Sequence, residues 1–307
     1  MTDLIYEEFA KNYLRDLLSP YLQVELGRQV IPKHSEPKEE DSYRQFGKGL
    51  FSALLSPYGT VEIDKELPPA EPKVIPIYCT PNIDTQIPDD LGLLKRFLNK
   101  NTLFHPYFNE IEEFDIHDCL LVILNLFKEY DARDERYTLE FDNFLKEHSD
   151  YLDEFKDEDE DEDDYEHEDY AYRDAKDLWI REHFFPFSWV IVPTVSESLL
   201  DGFRADPSED WEKGIYFMAP IFRMGIIAID ELPRTYETLW LRLLTKGEVL
   251  LQAIDEIEAL PQGNPLRFKA LNSLMGLYTS LQASQDLDAE DENLIARLSQ
   301  IYRQEMN

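Results

Sequence analysis

At 307 residues the chain has room for one large domain or two ordinary ones. Its 43% hydrophobic and 13% aromatic content suits a packed core and excludes a chain disordered throughout. The formal net charge is −34, from 64 acids and 30 bases; residues 157–169 hold 11 of the acids, and the remainder still carries −23, a field that repels phosphate backbones.

No Lys/Arg cluster of the kind that binds nucleic acid interrupts this charge, so nucleic acid is not an expected partner. Cys79 and Cys119 sit in apolar runs and are too few for a disulfide framework, which predicts two buried thiols in a reducing compartment. The opening MTDLIYEEFAK has neither the basic start nor the apolar core of a secretion signal. No stretch approaches about 18 uncharged apolar residues, so no membrane span is expected. A soluble cytoplasmic protein follows from these features.

From Asp3 to Ser19 the apolar residues Leu4, Ile5, Phe9, Tyr13, Leu14, Leu17 and Leu18 recur at helical spacing, and Pro20 ends the helix. Tyr21 to Val30 alternates loosely, as a half-buried strand does. This unit then repeats at an offset of 37: Leu17-Leu18-Ser19-Pro20-Tyr21 returns as Leu54-Leu55-Ser56-Pro57-Tyr58, and Val24-Glu25 as Val61-Glu62. Two copies are too few for a solenoid, so the reading is a local duplication of one helix–strand unit. The run from Glu71 to Cys79 is a strand carrying Pro72 and Pro76, hence an expected edge strand. Helices are expected over 88–99, with Leu91, Leu94 and Leu98 on one face, and over 116–130.

From Asp131 to Tyr172 charge takes over. Residues 137–152 read as a solvated helix and 153–169 as a disordered acidic surface insertion. Asp157, Asp159, Asp161 and Asp163 have the alternation of calcium ligands, but the glycine and closing glutamate of a calcium loop are missing. Arg173 to Glu182 returns to helix. Phe187 to Gly247 is the organising stretch. It holds a strand ending at Pro193, a short helix opened by Thr194 and Ser196, a hairpin (Gly214 to Ala219, Phe222 to Ile229), and an amphipathic helix closing at Gly247. Three helices follow, at 248–260, from Asn264 with Pro265 at the first helical position, and from about Asp288.

Six histidines show no metal-ligand spacing, and Gly47-Lys48-Gly49 lies inside a helical pattern, so it is not a phosphate loop. One constellation has the character of a divalent-metal nuclease, which needs carboxylates on adjacent strands and a lysine near the attacking water. Asp64 and Glu71 would be its metal ligands and Lys73 its lysine, with Mg or Mn as the cation.

The segments FAKNYLRDLLSPY…VE, WVIVPTVSESLLDGF, GIYFMAP, IIAIDELPRTYETLWLRLLTKG and QAIDEIEALPQGNPLRFKALNSL together resemble an uncharacterised, mainly cyanobacterial family. That family is distantly similar to restriction-endonuclease-like proteins, including recombination-promoting nucleases and transposase-like proteins. The resemblance implies a strand with an acid, a basic residue two on and an aspartate three further. Glu71 and Lys73 match the first two, and Pro76 stands in the aspartate's place, where it cannot ligate a metal.

The combined expectation is an α/β fold: a small mixed sheet flanked by helices, in the manner of a restriction-endonuclease-like core, with a C-terminal helical appendage. Residues 1–41 would be the duplicated unit and linker, 42–247 the core with its acidic insertion at about 131–172, and 248–307 the appendage. The expected function is that of a non-catalytic, protein-binding relative of the nuclease fold with no cofactor. The alternative is a metal-dependent, transposase-associated nuclease using Asp64, Glu71 and Lys73. Trp211 and Trp240 are read as packing residues.

Overall fold

The computed structural model describes residues 2–30, 73–81, 86–129, 135–152, 165–285 and 287–305, and its elements largely follow the hydrophobic periods of the chain. The helix α1 (Thr2–Leu18) buries Tyr6, Phe9, Ala10, Tyr13, Leu14, Leu17 and Leu18 on one stripe and stops before Pro20. The strand β1 (Leu22–Val30) follows, and β2 (Lys73–Pro81) is next among the described residues. The helix expected over 88–99 is split: a 3-10 turn (Asp89–Leu91) gives way at Gly92 to the short α2 (Leu93–Phe97). Gly92 has a φ of 55°, and a Cβ there would lie 2.5 Å from the Glu237 carbonyl oxygen, which accepts from Leu93 N at 2.7 Å. The break lets a distant loop dock onto the helix start. Next come β3 (Thr102–Pro106) and α3 (Glu113–Glu129).

The described parts of the charged region are helical: α4 (Glu135–Glu147) and α5 (Tyr165–His183). α4 is not merely solvated, because Phe141 is fully buried against Ala175, Trp179 and Ile180 of α5. The acidic run at 153–164 lies outside the described residues. β4 (Phe187–Val192) leads into α6 (Glu197–Phe203), which Ser196 caps by accepting from Leu199 N. The two-residue β5 (Asp206–Pro207) precedes the expected hairpin, β6 (Ile215–Phe217) and β7 (Met224–Ala228). The amphipathic helix expected to close at Gly247 shrinks to α7 (Leu239–Arg242); Gly247, with a φ of 66°, instead opens α8 (Gly247–Ala259). α9 (Pro265–Ala283) begins as the sequence predicts, with Asn264 Oδ1 accepting from Leu266 N at 2.9 Å and Arg267 N at 3.0 Å. α10 (Ala289–Glu305) is capped reciprocally, Asp291 N donating to Asp288 Oδ1 and Asp288 N to Asp291 Oδ2.

The strands form one seven-stranded mixed sheet in the order β1-β2-β3-β4-β7-β6-β5. β3, β4 and β7 are parallel to one another; the remaining pairs are antiparallel. β2 is thus an interior strand, not the edge strand its prolines predict, and the register shows why Pro76 is tolerated. The β1–β2 ladder passes from Leu26–Ile77 to Arg28–Ile75 and skips Gly27 opposite Pro76, where Gly27 has a φ of 66°. On the other side β3 pairs only with Ile77, Tyr78 and Cys79. The missing proline N–H therefore falls where neither ladder pairs.

One face of the sheet, with Ile77, Phe104, Trp189, Ile191 and Ile227, packs against α1 and the last three helices. The other, with Tyr78, Leu103, Val190, Val192 and Ile226, packs against α3 and α6. This gives helices on both faces of a mixed sheet, an α/β architecture. The first helix–strand unit, set apart from the core at 1–41 in the sequence reading, supplies the sheet's edge strand and a wall of the larger core; its second copy lies outside the described residues. The last three helices, expected as an appendage, share that core through residues such as Ile254, Leu274 and Leu298, and Tyr6 OH of α1 donates to Asp291 of α10 at 2.6 Å. No described helix is long and apolar enough to cross a membrane.

Candidate functional site

Of the residues singled out for metal chemistry, Asp64 and Glu71 lie outside the described residues. Lys73 opens β2, where its backbone pairs with Val30, at the far end of that strand from Cys79, which faces Thr102. Among the described residues no group of three or more His, Cys, Asp or Glu is placed to hold a metal ion. Cys79 and Cys119 are buried free thiols, as predicted, and burial pushes both up to about 12. Trp240 is fully buried and donates from Nε1 to the Asp90 carbonyl at 2.7 Å, a packing residue as expected. Trp211 is different: it is only half-buried, and it lines a pocket.

That pocket has a volume of about 890 Å³. It opens where the three parallel strands begin, so residues from separate connections meet there: Lys100 ahead of β3, Phe187 at the start of β4, and Arg223 just before β7. Phe217 at the end of β6 and the loop from Arg204 to Trp211 close the other side. Open α/β sheets commonly bind ligands at the opposite, carboxyl ends of their strands. Here Asn109, shortly after β3, is tied at that end to Asp3 at 2.9 Å, and Lys246 pairs with the same carboxylate.

The pocket's inner wall is aromatic. Trp189, 3% exposed, sits behind it with Phe97 at 4.5 Å, Phe187 at 4.7 Å and Phe217 at 5.4 Å between ring centroids. Trp211 stacks on Phe97 at 5.3 Å and 15°, and its ring also carries the Arg96 guanidinium, 3.9 Å from the centroid. Arg96 is held in place by a hydrogen bond from Nη2 to the Asp210 carbonyl at 2.9 Å.

The rim is cationic. Arg96, Lys100, Arg204 and Arg223 line the pocket against a single carboxylate, Asp206. Arg204 (φ 52°) and Arg223 (φ 47°) are the non-glycine residues with positive φ among the described residues, and both are here. Each ends a short helical segment in the left-handed conformation, which costs a side-chain-bearing residue roughly 1 kcal/mol. Arg223 is only 9% exposed. Its Nη2 donates to the Phe185 carbonyl at 3.0 Å, whereas its buried Nε has no hydrogen-bond partner. No described carboxylate forms an ion pair with it. Burial lowers its pKa, Glu182 acting in the opposite direction through space and Arg181 adding to the lowering.

Sequence reasoning missed this site because its cations come from three distant stretches, at 96–100, 204 and 223. The available signal was Trp211 itself, a tryptophan in the polar stretch Ser208-Glu209-Asp210-Trp211-Glu212-Lys213. No family model, curated protein or solved structure matches the chain.

Proposed function

We propose that this protein works by binding, and that the pocket at the amino ends of β3, β4 and β7 is its recognition site for an anionic group. The observation that carries this reading is Arg223, 9% exposed, whose buried Nε has no hydrogen-bond partner and which forms no ion pair with a described carboxylate, Glu182 acting on it only through space. Burying part of a guanidinium without a paired carboxylate is unfavourable, and a bound anion relieves that cost. An anion accepting from Arg223, with Lys100 and Arg204 at the rim, would do so. In a chain of net charge −34 an excess of three positive charges at one pocket is a local reversal of the field. Apolar walls with a few convergent donors are the usual composition of a small-ligand site. The sequence resemblance to restriction-endonuclease-like proteins, with Pro76 in the place of an aspartate, would suit a protein that binds rather than cuts.

The test is thermal unfolding in pyrophosphate or citrate against chloride at matched ionic strength. Wild type is expected to melt higher in the multivalent anions, and Arg223→Gln is expected to lose that gain. Equal behaviour of the two proteins, or no anion effect in wild type, would sink the reading.

A further inference from the structure

We infer that the ligand of this pocket is a nucleoside phosphate, its phosphate met by Arg223, Arg204 and Lys100 and its base laid against the aromatic wall. The inference rests on the reading of the pocket as an anion site and supplies the other half of the ligand. Four cations facing one carboxylate suit a multiply charged phosphate better than a single carboxylate, and arginine forks match phosphate oxygens in pairs. A phosphate alone would leave most of about 890 Å³ empty. The remaining surface is ring: Phe187, Phe217 and Trp211 are each half-buried, so part of each ring faces the pocket.

Trp211 shows what that wall accepts. A planar guanidinium already lies on it at 3.9 Å, the separation of two stacked planar groups, and it belongs to Arg96, which is exposed. A flat base could take that place, with Arg96 moving to its outer face or to the phosphate. Base–aromatic stacking is tolerant of base identity, because every base presents a π-face. The size and charge also favour a free nucleotide over a strand. The pocket is a single concavity, and the −23 carried outside the acidic run repels a polyanionic backbone.

The test is isothermal titration of the full chain with AMP, ADP, ATP and GDP, beside ribose 5-phosphate, pyrophosphate, adenosine and an acidic hexapeptide. At least one nucleotide is expected to bind about tenfold or more tightly than ribose 5-phosphate and pyrophosphate. Arg223→Gln and Arg204→Gln are each expected to weaken it by about tenfold. Arg223 also holds the Phe185 carbonyl, so folding of that variant is checked by circular dichroism. Should it fail to fold, Arg204→Gln and Lys100→Gln, both at exposed positions, carry the comparison. Phosphates binding equally with and without a base would overturn the nucleotide inference and leave the anion site standing. Binding of the peptide in preference to nucleotides would do the same. Nucleotide binding indifferent to the rim variants would place it elsewhere and also overturn the inference. No binding by any probe would remove both readings.

Discussion

Gly225 measures how closely the pocket's aromatic wall is fitted. A Cβ at this position would lie 2.3 Å from Trp189 Cζ3 and 3.0 Å from the Tyr216 carbonyl oxygen, so neither the ring nor the neighbouring strand has room for a methyl group. Overpacking of this kind costs about 1–3 kcal/mol. Gly225→Ala is therefore expected to lower stability in urea by that amount and to weaken ligand binding, because Trp189 backs Phe187 and Phe217. A variant that melts and binds like wild type would show that the wall is less constrained than these distances imply. At this scale the sequence is only partly legible. Trp240 is recognisable as a core residue from its amphipathic surroundings. Trp211 has no such periodic context, and its packing role cannot be told from a binding role until Phe97 and Arg96 are seen on either side of it.

The clasp between α7 and α8 shows what ties short elements together. Arg242, 2% exposed, donates from Nη1 and Nη2 to the two oxygens of Glu256 at 3.0 and 2.6 Å, and from Nη2 to the Thr235 carbonyl at 2.9 Å. Arg234 reaches Glu256 as well, at 2.8 Å. Burial alone would raise the Glu256 carboxyl, but the hydrogen bonds and charges of Arg242 and Arg234 outweigh it and hold the group below its ordinary 4.5. A carboxylate depressed in the folded state stabilises the fold above its unfolded value, and that contribution is lost as pH falls through the folded value. Glu256→Gln leaves Arg242 buried without its counter-charge and is expected to cost about 3 kcal/mol near neutral pH. In urea unfolding at a series of pH values, the gap between wild type and variant is expected to shrink below about 4.5. A gap independent of pH would mean that the pair contributes packing and not charge. Elements and caps are the most legible part of this chain, because Pro20, Ser196, Asn264 and Asp288 act on their own neighbours. The failures are tertiary. Gly92 breaks a periodic helix so that Glu237 can dock, and Gly247 starts a helix it was expected to end.

Across the whole molecule, charge sets what the protein can meet. With −34 overall, the chain's field opposes polyanions, while the four cations of the proposed anion site reverse it locally. DNA and RNA incubated with Mg²⁺ or Mn²⁺ are therefore expected to survive, and Lys73→Ala to behave as wild type does. Cleavage abolished by that substitution would restore the nuclease reading built on Asp64, Glu71 and Lys73.

What the sequence determined by itself is local: helical and strand periods, the caps, the buried thiols and the α/β class, each set by residues within a few positions of one another. The place of β2 inside the sheet was decided only in three dimensions, because tolerance of Pro76 depends on Gly27 opposite it and on where β3 stops pairing. The pocket was decided there too. Arg96 and Lys100 come from α2 and the turn after it, Arg204 from the end of α6 and Arg223 from the turn before β7, and only the fold brings these three stretches together beside the starts of β3, β4 and β7.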